Sequence, residues 1–324
     1  MGLLVNGAWQ EDISRTKEGR FIRPAAAFRN FVTPDGSAGP SGEGGFAAEA
    51  GRYHLYISLA CPWAHRTLIF RTLKKLDGVI SVSIAEPLYS KTGWEFGAAR
   101  GGTPDSANGK ATLAEIYLLA DPHYTGRVSV PVLWDKKRRT IVNNESSEII
   151  RMLNSAFDAF TGVRADYYPA ALGREIDAIN DVVYPDVNNG VYRAGFATTQ
   201  EAYEEAARAI FATFDEIEKR LSRQRYLVGR QITEADWRLF TTLVRFDVVY
   251  YSHFKCNLRR VADYPNLWNY TRDLYQVPGI AETVSIDHIK RHYYGSQRQV
   301  NPTGIAPIGP VIDFAAAHDR ARFG

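Results

Sequence analysis

A single cysteine near residue 60 has the surroundings of a nucleophile. Cys61 follows a short apolar run at 53–60 and precedes Pro62, after which apolar residues recur at helical spacing. This pattern predicts a strand and then a helix that begins at the cysteine, with Pro62 at the first helical position, where its missing N–H costs nothing. The sulfur would then face unbonded N–H groups and the positive end of the helix dipole, which favour the thiolate. A small, buried, unreactive cysteine is the alternative.

The other cysteine gives no sign of a second reactive thiol. Cys256 lies outside any Cys-x-x-Cys motif, so we expect it to be packed in the core rather than to resolve a disulfide. Two cysteines so far apart are too few for the disulfide framework of a small secreted protein. We therefore expect a cytoplasmic protein in a reducing compartment.

Two other kinds of chemistry find little support. Asp287, His288 and His292 include the i, i+4 spacing of metal ligands, but no third ligand or glutamate base accompanies them, so we expect no metal site. The chain also lacks a Gly-x-Ser-x-Gly elbow and a phosphate-binding loop.

Composition and charge exclude several classes of partner. The chain has 324 residues, which predicts two domains. Its 39 Lys and Arg residues balance 36 Asp and Glu residues, and a net charge of +3 does not favour a nucleic acid or a membrane surface. No apolar run approaches the length of a membrane span, and residues 1–10 lack the pattern of a signal peptide.

The pattern along the chain predicts an extension followed by two domains. Residues 1–52 are expected to be rich in loops, because the glycine-rich run at 35–45 cannot form a regular element. Residues 53–165 alternate between strand and helix patterns. Residues 166–324 are expected to form an all-helical domain with an extended tail, which lacks any periodicity at 301–310.

Within the first domain, the pattern predicts strands at residues 79–84 and 127–135. Residues 85–126 are predicted to be an insertion between them. Pro131 inside the second of these runs indicates a sheet edge, a bulge or a turn. A helix is predicted to open at 143–153, where Asn, Ser and Glu fill the first turn.

Two helix starts are visible in the second domain. Thr198-x-x-Glu201 is a candidate capping box for the helix that follows it. Thr233 and Asp236 form a second one, which we interpret as structural.

Taken together, the motifs resemble those of a known family. A strand, a Cys-Pro helix, a strand, a Val-Pro hairpin and a Glu-Ser helix start resemble the thioredoxin-like domain of a glutathione transferase. Within that family the chain resembles the glutathionyl-hydroquinone reductases, the xi class, at 61–66, 93–96, 129–135, 143–149, 191–197, 290–294 and 301–310. The resemblance implies an α/β thioredoxin-like N-terminal domain plus an all-α glutathione-transferase-type C-terminal domain. It also implies glutathione as co-substrate and a homodimer. The balanced charge described above already argues against a nucleic acid or a membrane as partner.

The resemblance implies where glutathione would bind. Its peptide would lie along Val130, which a cis Pro131 would present as a free backbone edge, whereas a trans proline at a bulge is the alternative. Glu145 would take the α-amino group of the γ-glutamyl end, while Ser146 and the helix N-terminus would take its carboxylate. Helix capping alone is the alternative role for these two residues.

Four aromatic or charged side chains complete the implied site. The resemblance makes Trp94 an indole wall and Arg127 a cationic partner of glutathione, against simple packing and a solvated surface charge as alternatives. It places Tyr192 and Tyr293 over the second substrate, where a phenolic O–H can donate to a ring oxygen and deliver a proton. Tyr294 is an alternative to Tyr293.

The implied reaction is the glutathione-dependent reduction of glutathionyl-hydroquinones to hydroquinones. The Cys61 thiolate would attack the sulfur that joins glutathione to the ring, and a second glutathione would release oxidised glutathione. An omega-type thiol transferase or dehydroascorbate reductase would use the same cysteine without needing both tyrosines. A non-enzymatic glutathione-transferase-like interaction module is a third alternative.

Overall fold

The structure is a computed structural model, and it describes residues 2–11 and 16–324. These residues divide into two units. The first contains residues 2–11 and 24–165, and the second contains residues 16–23 and 166–324. A short piece of the N-terminal extension therefore belongs to the second unit.

A mixed four-stranded sheet forms the centre of the first unit. Its strands lie in the order β6–β5–β8–β9, with β5 at Tyr53–Ile57, β6 at Ser81–Ile84, β8 at Val132–Asp135 and β9 at Thr140–Asn143. Strands β5 and β6 are parallel, and the other neighbours are antiparallel. All five residues of β5 are buried, as expected for a strand covered on both faces.

Helices accompany the sheet of the first unit. They are α1 at Pro62–Leu73, α2 at Leu113–Ala120, α3 at Ser146–Ser155 and α4 at Asp158–Thr161. Helices α1 and α3 pack against each other. Helix α2 lies in the segment that the sequence pattern marks only as an insertion. Its signal is a capping box in which the Thr112 N–H donates to Glu115 and the Glu115 N–H donates back to the threonine hydroxyl.

Short strands precede Tyr53, where the sequence pattern predicts loops. They are β1 at Gly2–Val5, β2 at Ala8–Glu11, β3 at Thr16–Lys17 and β4 at Arg20–Phe21. Strand β1 pairs with β2 and with β7 at Gly126–Arg127, so distant pieces of chain form a second small sheet. Runs of two to four residues are too short for their alternation to stand out.

The run at 127–135 is two strands rather than the single strand that was predicted. Strand β7 ends at Arg127, and β8 begins at Val132, directly after Pro131. The Val130–Pro131 peptide bond is cis. Strand β8 lies between β5 and β9, so Pro131 precedes an interior strand and does not mark a sheet edge.

The second unit is mainly helical. Its helices are α5 at Gly173–Val183, α6 at Gly190–Gly195, α7 at Gln200–Leu221, α8 at Glu234–Arg245, α9 at Pro265–Tyr275 and α10 at Ile286–Ser296. Two π-helical segments, Tyr184–Asn188 and Phe246–Tyr250, interrupt this pattern. No helix in the described part of the chain combines the length and apolar character needed to cross a membrane.

The helix starts of the second unit differ from the prediction at one place. Helix α7 is capped by Thr199, whose side chain accepts the Ala202 N–H, and the predicted Thr198–Glu201 box is therefore wrong by one residue. The second predicted box is present. The Asp236 carboxylate accepts both the N–H and the hydroxyl of Thr233, at 2.7 and 3.0 Å.

Asp236 also accepts hydrogen bonds from residues outside its own helix. Its other carboxylate oxygen accepts the Leu227 N–H and the Tyr270 hydroxyl, both at 2.8 Å. The side chain is fully buried, so each of these donors depends on it.

We predict that Asp236→Ala lowers the free energy of unfolding by about 3 kcal/mol, because it leaves several buried donors without an acceptor. The matched control is Asp263→Ala, which removes an exposed capping carboxylate that accepts from Arg260, and it should cost less than about 1 kcal/mol. Urea denaturation of both variants measures the difference. Equal losses would show that the buried network of Asp236 contributes nothing beyond capping.

Candidate active site

Cys61 lies at the start of α1, as the sequence pattern predicts. It is the N-cap residue, with extended backbone angles, and Pro62 is the first helical residue. Its carbonyl accepts the His65 N–H at 3.0 Å, which is the first hydrogen bond of the helix. The side chain is partly exposed and forms no disulfide. The sulfur therefore lies where the helix dipole stabilises a negative charge.

Val130 lies beside this sulfur. The Cys61 Sγ atom is 3.6 Å from the Val130 carbonyl oxygen. Among the residues that the structure describes, no group accepts a hydrogen bond from the Val130 N–H. A backbone amide next to a nucleophilic sulfur can pair with an extended peptide ligand, in the way that a strand edge does.

The start of α3 carries a carboxylate, a hydroxyl and a helix N-terminus, which are groups that can bind a cation and an anion. Glu145 is the N-cap residue, and its carboxylate accepts the N–H and the hydroxyl of Ser147 at 3.0 and 2.9 Å. Ser146 follows as the first helical residue, and its hydroxyl lies 3.4 Å from a guanidinium nitrogen of Arg66 on α1. The guanidinium thus links the two helices whose N-termini carry Cys61 and Glu145. Capping does not use all the acceptor sites of the Glu145 carboxylate.

The resemblance also implies Trp94 and Arg127, of which the first is buried in the first unit and the second lies on a short strand. Trp94 is almost fully buried, and its ring meets that of Tyr89 edge-on, with centroids 4.5 Å apart. Arg127 ends strand β7, opposite Leu3 of β1. Its carbonyl accepts the Tyr124 hydroxyl at 3.1 Å.

The second unit contains a chain of three tyrosine hydroxyls. The Tyr192 and Tyr293 hydroxyl oxygens are 2.5 Å apart, and the Tyr293 oxygen is 2.9 Å from that of Tyr250. Three hydroxyls carry three protons, and these two hydrogen bonds use two of them, so one proton is directed outside the trio. Burial, followed by the neighbouring hydroxyls of Tyr192 and Tyr250, raises the pKa of Tyr293 well above its usual value. The phenol of Tyr293 therefore keeps its proton at neutral pH.

The hydrogen-bond partners of Tyr192 and Tyr293 differ from those of the adjacent Tyr294. The Arg23 guanidinium lies 4.8 Å from the centre of the Tyr192 ring and donates to Asn189 at 2.8 Å. Tyr294 is not part of the trio, since its hydroxyl bonds to Ser252 instead. The structure thus pairs Tyr192 with Tyr293 and not with the alternative, Tyr294.

The sequence pattern gave no reason to select Tyr250. It lies in a run of apolar and aromatic residues at the end of the π-helical segment Phe246–Tyr250, where any tyrosine reads as part of the core. A π-helical turn at a functional site is common, but it cannot be seen in a single sequence.

Comparison with known proteins identifies the family of this chain. The profile "Glutathione S-transferase, N-terminal domain" matches residues 60–156, and "Glutathione S-transferase, C-terminal domain" matches residues 200–273. The chain is 56% identical to glutathionyl-hydroquinone reductase YqjG of Escherichia coli, over 100% of both chains. The chain belongs to the glutathionyl-hydroquinone reductases, the xi class of the glutathione transferase family.

Another relative and a solved structure support the same family assignment. Glutathionyl-hydroquinone reductase PcpF of Sphingobium chlorophenolicum is 52% identical, over 96% of this chain and 97% of its own. The glutathione-bound structure of YqjG superimposes with a TM-score of 0.92 at 54% identity, over 99% of both chains. The predicted fold class is thereby confirmed, with a glutathione transferase fold in both halves.

The two cysteines of this family member are predicted to differ in reactivity. Cys256 is fully buried, and burial raises the pKa of its thiol, whereas Cys61 is partly exposed at a helix N-terminus. We expect iodoacetamide to label Cys61 in the folded protein at neutral pH and to label Cys256 only after denaturation. Peptide mapping by mass spectrometry measures this. Labelling of Cys256 before Cys61 would contradict the assignment of the nucleophile.

Proposed function

We propose that this protein reduces glutathionyl-hydroquinones to hydroquinones, with glutathione as the reductant. The observation that carries the proposal is the pair of hydrogen-bonded hydroxyls of Tyr192 and Tyr293, in a chain that also has a single helix-capping cysteine. The names of the relatives in E. coli and S. chlorophenolicum support the same reaction. A thiol transferase that cleaves only disulfides has no need of phenolic proton donors.

The first unit binds the glutathione part of the substrate. The Val130 N–H and carbonyl pair with the peptide backbone, and the Glu145 carboxylate takes the α-amino group. The Ser146 hydroxyl and the N-terminus of α3 take the α-carboxylate, because a helix N-terminus favours a negative charge. Trp94 and Arg127 contribute an apolar wall and a positive charge. A glutathione-bound structure of a close relative supports this role of the fold.

The first chemical step cleaves the bond between sulfur and the aromatic ring. The Cys61 thiolate attacks the sulfur of the glutathionyl group, and a disulfide forms between Cys61 and glutathione. The electron pair of the carbon–sulfur bond stays with the ring carbon, which takes up a proton, and the hydroquinone leaves. The ring carbon is thus reduced, while the Cys61 thiolate sulfur and the thioether sulfur of the substrate are oxidised to a disulfide.

The tyrosines make the ring a better leaving group. Tyr192 or Tyr293 donates to a ring oxygen and delivers the proton that the ring carbon needs. Two hydrogen bonds join the hydroxyls of Tyr192, Tyr293 and Tyr250, and burial keeps the Tyr293 phenol protonated at neutral pH. A phenol that keeps its proton at neutral pH has one to give to the leaving ring, as a general acid does.

The second step restores the enzyme. A second glutathione, as its thiolate, attacks the glutathione sulfur of the mixed disulfide, so oxidised glutathione leaves and the Cys61 thiolate is regenerated. No resolving cysteine is required, which agrees with the complete burial of Cys256.

We further propose a cytoplasmic homodimer. Both cysteines are free thiols, as a reducing compartment requires, and the reaction itself consumes glutathione. The dimer is carried over from the family.

The proposal predicts different effects of Tyr192→Phe and Tyr293→Phe on two substrates. Each change should lower kcat/KM for a glutathionyl-hydroquinone by about 10²-fold, the usual scale for a general acid. Reduction of a small mixed disulfide with glutathione should be nearly unchanged, because a thiolate leaving group needs no carbon protonation. The Cys61→Ser variant provides the background rate in both assays.

Tyr294→Phe is the matched control, since Tyr294 is a neighbouring buried tyrosine outside the trio. It should retain most activity on both substrates. Equal losses of activity on both substrates in the Tyr192 and Tyr293 variants would show a structural role for the pair. The thiol transferase would then be the better hypothesis for the function.

A further inference from the structure

The hydroxyl of Tyr117 joins two separate segments of the first unit. Tyr117 lies on α2 and is fully buried. Its hydroxyl donates to the Ser129 carbonyl at 2.8 Å and accepts from the Asn144 side-chain amide at 3.0 Å. It also accepts the Ser129 N–H at 3.3 Å. One phenolic hydroxyl has a single proton and two lone pairs, so these bonds use its whole capacity.

Both segments lead directly into the proposed glutathione site. Ser129 precedes Val130, whose carbonyl faces the Cys61 sulfur. Asn144 precedes Glu145, the N-cap residue of α3. The β8–β9 hairpin separates these segments along the chain, and the hydroxyl of Tyr117 bridges them across it.

The Asn144 side chain has a fixed orientation. Its carbonyl oxygen accepts the Phe28 N–H at 3.1 Å, and its backbone N–H donates to the Phe28 carbonyl at 3.1 Å. The amide nitrogen must therefore point toward Tyr117. The N-terminal segment at Phe28 thus takes part in placing the start of α3.

The ring of Tyr117 has contacts of its own. Its centroid lies 5.9 Å from that of Phe28 and 5.0 Å from that of Tyr124. A phenylalanine can keep these ring contacts, so Tyr117→Phe removes only the hydroxyl. The loss of hydrogen bonding can then be separated from a loss of packing.

We propose that Tyr117 is a positioning residue that holds the Val130 and Glu145 segments at the separation glutathione requires. The inference rests on the proposed function, which assigns both segments to glutathione. Tyr117 does not touch the substrate. It acts by preventing the two segments from moving apart, since a small misplacement of binding groups is costly.

Calorimetric titration with glutathione tests the inference. Tyr117→Phe should raise the Kd for glutathione about tenfold, which corresponds to the net worth of one or two hydrogen bonds. Alkylation of Cys61 by iodoacetamide should keep its rate, because the start of α1 is unchanged. Asn144→Ala should weaken binding similarly, and the double variant should be little worse than the weaker-binding single variant.

Tyr53→Phe is the matched control. Tyr53 is also fully buried and donates one hydrogen bond, at 2.7 Å, to the Ala47 carbonyl. It should lose stability but bind glutathione like the wild type. If Tyr117→Phe does not fold, Asn144→Ala alone carries the test.

Two results would overturn the inference. One is an unchanged Kd in a folded Tyr117→Phe or Asn144→Ala variant. The other is an equal loss of binding in Tyr53→Phe. In either case the wild type would still turn over glutathionyl-hydroquinone, and the proposed function would stand. A wild type that neither binds glutathione nor turns over would overturn both.

Discussion

The placement of the Cys61 sulfur at the N-terminus of α1 is the constraint on which the rest of the structure depends. The proposed chemistry needs a thiolate at neutral pH, and the helix dipole supplies part of its stabilisation. The strand β5 before it and the packing of α1 against α3 fix the position of that helix start. The Val130 carbonyl at 3.6 Å limits the direction from which a second sulfur can approach.

A single nucleophilic thiol determines which chemistry is open to the chain. Cys256 is fully buried, and its thiol has a raised pKa, so it cannot act as a resolving partner. In the proposed mechanism the mixed disulfide is therefore released by a thiol from solution, and glutathione has two successive roles. The first unit supplies the groups suited to glutathione, whereas the buried phenols that suit an aromatic ring belong to the second unit.

The sequence predicted the parts of this arrangement that depend on local rules. A proline after a cysteine, a Glu-Ser pair and the Thr233–Asp236 box each specify the start of a helix, and the structure has all three. Other features could not be read locally. The trio that includes Tyr250 requires contacts between residues far apart in the chain, and the bridge from Tyr117 to Ser129 and Asn144 spans a hairpin. Helix α2 is different, because its capping box was present in the sequence and was missed.

A single-turnover reaction tests the central claim most directly. The protein is mixed with one equivalent of a glutathionyl-hydroquinone in the absence of free glutathione, and both products are analysed by mass spectrometry. The account predicts one equivalent of hydroquinone and one glutathione adduct, which peptide mapping places on Cys61. Hydroquinone release with no adduct, an adduct on Cys256, or a disulfide between the two cysteines would contradict it.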